Sequence, residues 1–381
     1  MDYFECHKKY KQNQLFGRYI TRSQIEDVMQ SLNIVPIVKG YSVQNHPLYQ
    51  LDVGKGKFKV LVWSQMHGNE GTTTKALFDF IAFLQSGEPL AVTLQQMFTF
   101  RILPMVNPDG AEAYSRVNAN QVDLNRDACD LSQPESQFLR KAFDDFQPHL
   151  AYNLHDQRSI FGVGTTGKPA TVSFLAPAFN EERSINEVRT KAMNLIVAMQ
   201  NELQNFIPNQ IGRFDDSFNL NCVGDCFTRL GVPTVLFEAG HYPNDYYREY
   251  TRKMIFIALL SGVKHIYEND IVDNKNELYL NIPQNNPVYY DFIYKNIKIN
   301  YEGKEIITNF AAQYREELIE GKIEFNAYIV EVGLLEGKLG HSTFNAHKMK
   351  YSDDHLNIPN INQKADFCLE NSIKFVNGLK I

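Results

Sequence analysis

The chain has 381 residues, of which 44% are hydrophobic and 22% charged, and its net charge is −6. This length predicts two domains, or one large domain with an extension, around a sizeable core. The chain is acidic overall and has no cluster of basic residues suited to binding nucleic acid. No apolar segment approaches the length of a membrane-spanning helix. The amino terminus lacks the apolar segment of a signal peptide, and five scattered cysteines argue against a disulfide framework. We therefore expect a cytoplasmic protein that binds neither nucleic acid nor membranes.

Residues 1–45 are predicted to form a helical N-terminal extension. From residue 46 to residue 270, strand-like and helix-like segments alternate, which is typical of a mostly parallel sheet with crossover helices. Long helices are predicted at residues 180–206 and 244–267. A further helix is expected to begin at a capping box in Ser132–Glu135. The expected fold class of this part is α/β, with a mostly parallel mixed sheet flanked by helices.

The composition changes after residue 267. Residues 268–287 are polar and rich in turn-forming residues, and we expect them to form a linker. Beyond it, residues 291–299 and 323–332 are strand-like, and the turn signal at residues 301–304 lies between them. We predict that residues 285–381 form a small β-rich C-terminal domain.

The segment QMHGNEG contains the strongest chemical signal in the chain. It lies between a predicted buried strand at residues 58–64 and a predicted helix at residues 72–84. Its His67 and Glu70 can face one point, because a strand-to-helix turn brings both to the carboxyl edge of the sheet. Imidazole and carboxylate are ligands of catalytic zinc, which takes a third protein ligand from elsewhere and leaves a position for water. The two residues alone are weak evidence, because this spacing occurs by chance in many proteins.

Other polar residues follow predicted strand ends. His155 directly follows an apolar segment, as does Glu238. Because open α/β sheets bind their ligands beyond the carboxyl ends of the strands, we predict that His67, Glu70 and His155 hold Zn²⁺. Glu238 is then the predicted base, which takes a proton from the attacking water and passes it to the leaving amine.

The ordered set HGNE, NPDG (residues 107–110), DLNR (residues 123–126), a strand-end His and a strand-end Glu resembles the zinc metallocarboxypeptidases of the carboxypeptidase A type. The resemblance covers residues 45–265 and is to a compact, bacterial-like member. It implies that residues 46–270 are the catalytic domain of a metallopeptidase that removes C-terminal residues from small peptides.

The resemblance also implies roles for three polar residues. Asn125 and Arg126 would hold the free carboxylate of the substrate, since a guanidinium binds carboxylates in a bidentate fashion. Arg116 would polarise the scissile carbonyl and stabilise the oxyanion. Arg101, which lies inside a predicted strand, is the less favoured alternative to Arg116.

Three further residues leave alternatives open. His241, three residues after Glu238, either tunes that carboxylate or contacts substrate, or it is a surface-loop residue with neither role. Asp156, next to His155, is expected to lie in a loop or to support the site rather than to bind the metal. Asp225 either selects a basic group of the substrate or caps a turn, and we favour the turn.

Two other functions are compatible with parts of this sequence. An N-acyl amino acid deacylase of the aspartoacylase and succinylglutamate desuccinylase type is favoured by the β-rich tail and by the short ligand spacing, 155 − 70 = 85 residues. The NPDG motif and the Phe-Glu-Ala-Gly context of Glu238 favour the carboxypeptidase instead. A non-catalytic zinc-binding or peptide-binding module is disfavoured, because every catalytic position is occupied.

Overall fold

The computed structural model describes residues 1–269 and 276–381, which belong to two compact units. The larger unit comprises residues 1–158 and 170–285, and the smaller unit comprises residues 159–169 and 286–381. The chain therefore leaves the larger unit shortly after His155, returns to it, and ends in the smaller unit. The predicted boundary at residue 270 and the middle of the predicted linker lie outside the described residues.

An eight-stranded sheet forms the centre of the larger unit, in the order β1-β2-β4-β3-β5-β9-β7-β8. Strands β4, β3, β5 and β9 are parallel neighbours, whereas β1 pairs antiparallel with β2, β2 with β4, and β7 with β9. The predicted mostly parallel mixed sheet is thus confirmed. The first nine strands, of which β6 belongs to the smaller unit, are β1 (Ile37–Tyr41), β2 (Pro47–Gly54), β3 (Phe58–Ser64), β4 (Phe98–Leu103), β5 (Leu150–Asp156), β6 (Phe161–Val163), β7 (Val172–Leu175), β8 (Ile211–Arg213) and β9 (Thr234–Ala239).

Helices cover both faces of this sheet. The predicted helix at residues 72–84 is confirmed, whereas the helix predicted to start at residue 180 begins at Glu187, because the side chain of Asn186 accepts a hydrogen bond from the backbone of Arg189 and caps it. The described helices are α1 (Tyr3–Tyr10), α2 (Arg22–Ser31), α3 (Thr72–Leu84), α4 (Pro89–Met97), α5 (Pro108–Ala113), α6 (Pro134–Phe146), α7 (Glu187–Leu203), α8 (Val223–Arg229), α9 (Glu249–Glu268) and α10 (Asn276–Leu280), and a 3-10 turn spans Leu124–Arg126.

The two faces of the sheet contribute to two hydrophobic cores. In β3, Val60 and Val62 pack into the core that contains residues of α3, α7 and α9, whereas Leu61 and Trp63 pack into the core with α6 and α8. This alternation follows from the two-residue period of a strand. Every residue of α3 is buried. Among the described helices, none is by itself long and apolar enough to cross a membrane; α3 and α4 meet that test only jointly, by length and composition, and the chain bends by 100° between them.

The N-terminal segment is built into the larger unit. Tyr3, Ile25 and Val28 are buried in the core that contains α3, and β1 forms an edge of the central sheet. Residues 1–45 therefore contain the strand β1 in addition to the predicted helices. The predicted boundary at residue 45 lies inside the larger unit and does not separate two compact units. An amphipathic sequence pattern predicts an apolar helix face, but it does not predict which hydrophobic core that face packs against.

The capping box expected in Ser132–Glu135 is absent, so that prediction was wrong. Helix α6 begins at Pro134, and no side chain caps it at Gln133. Asp127 accepts hydrogen bonds from the hydroxyl and the backbone N–H of Ser132 and from the backbone N–H of Gln133. The serine hydroxyl is thus taken by a carboxylate outside the helix.

The smaller unit consists of β-sheets with two to four strands each, as predicted for the β-rich C-terminal part of the chain. Its main sheet has the order β13-β12-β11-β14, β6 pairs with β10, and a further sheet has the order β15-β16-β17-β18. The β11–β12 turn has positive φ at Glu302 and Gly303, in agreement with the predicted turn. The remaining strands are β10 (Asn285–Pro287), β11 (Tyr289–Tyr301), β12 (Lys304–Ile319), β13 (Lys322–Gly333), β14 (Leu339–Asn345), β15 (Tyr351–Ser352), β16 (Phe367–Leu369), β17 (Ile373–Val376) and β18 (Leu379–Lys380).

Candidate active site

The HGNE turn packs directly against the NPDG segment. A Cβ atom at Gly68 would lie 1.9 Å from the carbonyl carbon of Gly110, so only glycine allows this approach of the two backbones. Asn107 donates a hydrogen bond from its side chain to the carbonyl of Met66 and accepts one from the backbone of Gly110. These contacts hold the turn at the carboxyl end of β3, where α3 begins.

The three predicted metal ligands come together at this edge of the sheet. The His67 Nδ1 atom lies 2.8 Å from Oε1 of Glu70, and the His155 Nδ1 atom lies 2.9 Å from Oε2 of the same carboxylate. The two Nδ1 atoms are 3.2 Å apart. All three residues are buried. Two imidazole nitrogens and a carboxylate therefore converge on one small volume.

This group fits the requirements of a zinc ion. Zinc–nitrogen bonds of about 2.0–2.1 Å in tetrahedral geometry place two ligand atoms roughly 3.3 Å apart. The 3.2 Å separation of the Nδ1 atoms of His67 and His155 is close to this value. The ligand types are those of catalytic zinc sites with three protein ligands. The predicted zinc cofactor thus has a matching set of ligands, His67, Glu70 and His155.

Asp123 supports this group and was not singled out by the sequence. Its Oδ1 atom lies 3.0 Å from Nε2 of His67, the ring nitrogen that faces away from Glu70 and His155. A carboxylate at the second nitrogen of a metal-binding histidine orients the ring and selects its tautomer. Burial would raise the pKa of Asp123, but the hydrogen bond and charge of His67, the charge of Arg116 and the backbone hydrogen bond from Asn125 together outweigh it and lower the pKa. The only sequence signal was its place as the first residue of DLNR.

Arg116 lies beside the same carboxylates. Its Nε donates to Oδ2 of Asp123 over 3.1 Å, and its Nη1 lies 3.3 Å from Oε1 of Glu70. About half of its side chain is exposed. Arg101, the alternative, instead forms an ion pair with Asp52 at 3.0 Å and packs over the ring of Phe146. The structure thus brings Arg116 to the candidate site and holds Arg101 elsewhere.

Glu238 stands next to His155 in the sheet. The two residues are direct partners in the parallel register of β5 and β9, so their side chains project from the same face. Glu238 is partly exposed, but its Oε2 atom is buried and has no hydrogen-bond partner within the described part of the chain. Burial and the nearby carboxylates of Glu70 and Asp156 raise the pKa of Glu238 well above its ordinary value, and Arg116 opposes them.

Asp156 and His241 are both buried near the ends of β5 and β9. The Asp156 carboxylate accepts hydrogen bonds from the backbone of Thr72 and Thr73, and so caps the start of α3 rather than joining the ligands. His241 is buried, and its ring lies 4.7 Å from that of Tyr246. The surface-loop alternative for His241 is therefore wrong.

The two residues proposed to hold the substrate carboxylate lie in the 3-10 turn Leu124–Arg126 and contact the start of α8. The Asn125 Oδ1 atom accepts a 2.9 Å hydrogen bond from the backbone of Val223. Arg126 is exposed; its Nη1 atom donates to the carbonyl of Asn125 and lies 3.1 Å from Sγ of Cys222. Most of the Arg126 guanidinium thus remains available to solvent.

Asp225 lies in the first turn of α8. Its Oδ2 atom accepts a 3.2 Å hydrogen bond from the backbone of Asn219, and burial raises its pKa to about 7. This contact agrees with the favoured turn-capping role.

Part of this chain is similar in sequence to known proteins. Residues 23–161 match the family model described as zinc carboxypeptidase. A "Probable carboxypeptidase 2" of Arthroderma benhamiae is 29% identical over 132 residues, which cover 34% of this chain and 24% of the relative. The chain therefore spans about a quarter of that relative's length.

Solved structures share the fold. A metallo-carboxypeptidase from Burkholderia cenocepacia superposes with a TM-score of 0.52 at 17% identity, over 65% of this chain and 70% of the other. A metallo-carboxypeptidase from Pseudomonas aeruginosa gives a TM-score of 0.51 at 16% identity, over 65% and 70%. Both cover about two thirds of this chain. The predicted resemblance is confirmed: residues 23–161 match the zinc carboxypeptidase family model, and the chain shares its fold with solved metallo-carboxypeptidases.

Proposed function

We propose that this protein is a zinc-dependent metallocarboxypeptidase that hydrolyses the C-terminal peptide bond of small peptides. The observation that carries the proposal is the position of Glu238 beside His155 in the register of the sheet, at the edge where His67 and Glu70 also lie. A base must lie within reach of the water that it activates, and a strand pairing fixes this proximity.

Each polar side chain has a distinct role in the proposed reaction. Zinc at this site would polarise the scissile carbonyl and lower the pKa of the attacking water toward neutrality. Glu238 takes a proton from that water and then donates it to the leaving amine. Arg116 stabilises the negative charge that develops on the carbonyl oxygen, because its guanidinium lies beside Glu70 at the same edge.

Arg126 and Asn125 are proposed to make the enzyme an exopeptidase. The exposed guanidinium of Arg126 can bind the free terminal carboxylate of a peptide in a bidentate, charge-assisted manner. Asn125 is held in place by its hydrogen bond to Val223. An amidated terminus removes the charge and one acceptor, so it would leave the guanidinium unpaired in the complex.

The deacylase alternative is not favoured, because the family match and the relatives are carboxypeptidases. The complete set of proposed catalytic side chains likewise disfavours a non-catalytic binding module. A location in the cytoplasm stays a prediction.

The test compares peptides with free and amidated C-termini, beside N-acyl amino acids, on the zinc-loaded full chain. Free-ended peptides should lose one residue at a time, and their amides should hardly react. Arg126→Met should impair mainly the free-ended substrates and narrow this gap. Arg140→Met is the matched control, since Arg140 pairs with Asp144 on the surface of α6. Equal cleavage of free and amidated peptides would contradict the exopeptidase assignment, and turnover of N-acyl amino acids alone would favour the deacylase.

A further inference from the structure

Asn153 lies on β5, two residues before His155, and the two side chains therefore project from the same face of the sheet. In the register of the sheet, Asn153 is the partner of Trp63 on β3 and of Leu236 on β9. These three residues form a layer directly below the one that contains His155 and Glu238. Since a strand rises about 3.3 Å per residue, this layer lies roughly 7 Å deeper than the metal ligand.

The carboxamide of Asn153 is fully buried and unsatisfied. Neither its Nδ2 nor its Oδ1 atom has a hydrogen-bond partner in residues 1–269 and 276–381. In the same layer, the indole Nε1 of Trp63 is also buried without a partner among those residues. Buried amide groups in folded proteins are almost always hydrogen-bonded, because leaving them unpaired is destabilising. Two unpaired polar side chains therefore lie in one buried layer beneath the candidate catalytic residues, where a polar ligand group could satisfy them.

A second observation shows that the layer with Asn153 lies near Asn125 and Arg126, the residues proposed to hold the substrate carboxylate. Asn125 holds the first residue of α8 through the backbone of Val223. Gly224 is the next residue, and a Cβ atom built on it would lie 3.8 Å from Nδ2 of Asn153. The first two residues of α8 thus lie between the two groups: Val223 contacts Asn125, and Gly224 lies near the carboxamide of Asn153.

We propose that Asn153 determines the specificity for the C-terminal residue of the substrate, and that the enzyme prefers residues with a side-chain carboxamide, glutamine and asparagine. This inference rests on the proposed function. A C-terminal residue whose carboxylate is held at Arg126, and whose nitrogen is bonded to the scissile carbonyl of the preceding residue at the metal ligands, directs its side chain toward the α8 side of β5. There a carboxamide can donate to Oδ1 and accept from Nδ2 of Asn153, while Leu236 contacts its methylene groups.

Other side chains at the C-terminus of the substrate would bind less well beside Asn153. An apolar side chain leaves both polar atoms of Asn153 unpaired. A charged side chain loses its hydration beside Leu236 and Trp63 and satisfies at most one of the two kinds of hydrogen bond. The carboxamide is the side chain that supplies a donor and an acceptor together.

The first test uses the parent protein and peptides that differ only in the last residue. The zinc-loaded full chain is assayed on the near-isosteric pairs Gln against Met and Asn against Leu. Two additional hydrogen bonds should raise kcat/KM for the carboxamide of each pair by roughly 10-fold to 100-fold. Equal rates, or a preference for Met, Leu or Lys termini, would overturn the inference without the need for any variant.

The second test exchanges the carboxamide. Asn153→Leu should reverse the Gln-to-Met preference, retain zinc and raise the midpoint of thermal unfolding, because it removes an unsatisfied buried group. Asn118→Leu is the matched control, since Asn118 is also buried but donates to Gln133 and Glu135. That control should lower the unfolding midpoint and leave the preference unchanged. An unchanged preference in Asn153→Leu would show that Asn153 is a structural residue only.

The failure of this inference is distinguishable from that of the proposed function. If no free-ended peptide is cleaved, whatever its last residue, the carboxypeptidase assignment fails and the substrate class fails with it. If peptides are cleaved with no dependence on Asn153, the assignment stands and only the specificity is wrong.

Discussion

Two regions of the larger unit bury charge along the same helix, and they treat it differently. The candidate site lies at the start of α3. A buried ion cluster, formed by His7, Lys75, Asp79, Glu249 and Arg252, lies along the helix and against α1 and α9. Both regions combine acidic and basic side chains away from solvent, yet only one is expected to bind a substrate.

In the ion cluster, the charged groups satisfy one another. Arg252 donates to both carboxylate oxygens of Asp79 at 2.7 and 2.6 Å, and His7 Nε2 lies 3.0 Å from the same carboxylate. Lys75 donates to Glu249 at 2.6 Å and to the carbonyl of Gly17 at 2.7 Å. Such an arrangement compensates for the loss of hydration and ties the N-terminal segment to the core.

At the candidate site, the polar groups converge but are not all satisfied. Oε2 of Glu238, Nε2 of His155 and both side-chain polar atoms of Asn153 are buried without a partner among the residues that the structure describes. Unpaired buried polar groups are rare in native proteins, and a catalytic or ligand-binding role is one explanation for them. Pairing, rather than burial or charge, therefore distinguishes the ion cluster from the candidate site.

The comparison is tested most strongly by Glu238→Gln, which keeps the shape of the side chain and removes its proton transfer. We expect kcat/KM to fall by about 10²- to 10⁴-fold while the metal analysis still finds zinc. Glu135→Gln is the matched control, because Glu135 is also buried but accepts hydrogen bonds from Val43 and Asn118. Turnover within a few-fold of the parent in Glu238→Gln would place the base elsewhere, with His241 the first residue to examine.

Arg252→Met should have the next largest effect, but on stability. It leaves the buried carboxylate of Asp79 without its main partner, so the free energy of unfolding should fall by about 3–5 kcal/mol. Denaturant titration measures this change. The surface control Arg140→Met should change it by less than about 1 kcal/mol. An unchanged unfolding free energy in Arg252→Met would mean that the ion cluster does not stabilise the fold.

The free energy of unfolding should depend on pH through Glu249 of the ion cluster. Burial would raise the pKa of Glu249, but Lys75 and Arg252 outweigh it and lower the pKa from 4.5 to about 2. Because the native pKa is below the unfolded one, the stabilisation is fully present above pH 4.5 and is lost as the pH falls toward 2. It amounts to at most about 3 kcal/mol. The unfolding free energies of the parent and Glu249→Gln should therefore converge over this range, and a constant difference would contradict the ion pairing.

The smallest expected effect concerns the support of the metal ligands. Asp123→Asn should weaken zinc binding by about 10- to 100-fold, because it removes the carboxylate that orients His67. Competition with a chelator measures this affinity. Asp127→Asn is the matched control, since Asp127 binds Ser132 and Gln133 instead. If Asp123→Asn binds zinc as tightly as the parent, Asp123 serves only to hold Arg116.

The residues of the candidate site were largely predictable because they lie at strand ends. An apolar strand is visible as a local pattern, and parallel strands bring their carboxyl ends to one edge whatever the details of packing. His67, Glu70, His155 and Glu238 therefore came together as expected. The choice of Arg116 over Arg101 was not local, because it depended on the Asp52 side chain of a neighbouring strand.

By itself, the sequence determined the α/β alternation, the β-rich C-terminal part and the chemistry of the sheet edge, since each depends on short-range periodicity or on residue type. Only the tertiary structure decided which groups pair across long distances. Asp123 meets His67 across 56 residues, Ser132 gives its hydroxyl to Asp127 instead of a helix end, and residues 159–169 join the smaller unit. The unpaired carboxamide of Asn153 was hidden for the same reason: whether a buried polar group finds a partner depends on every segment that packs around it.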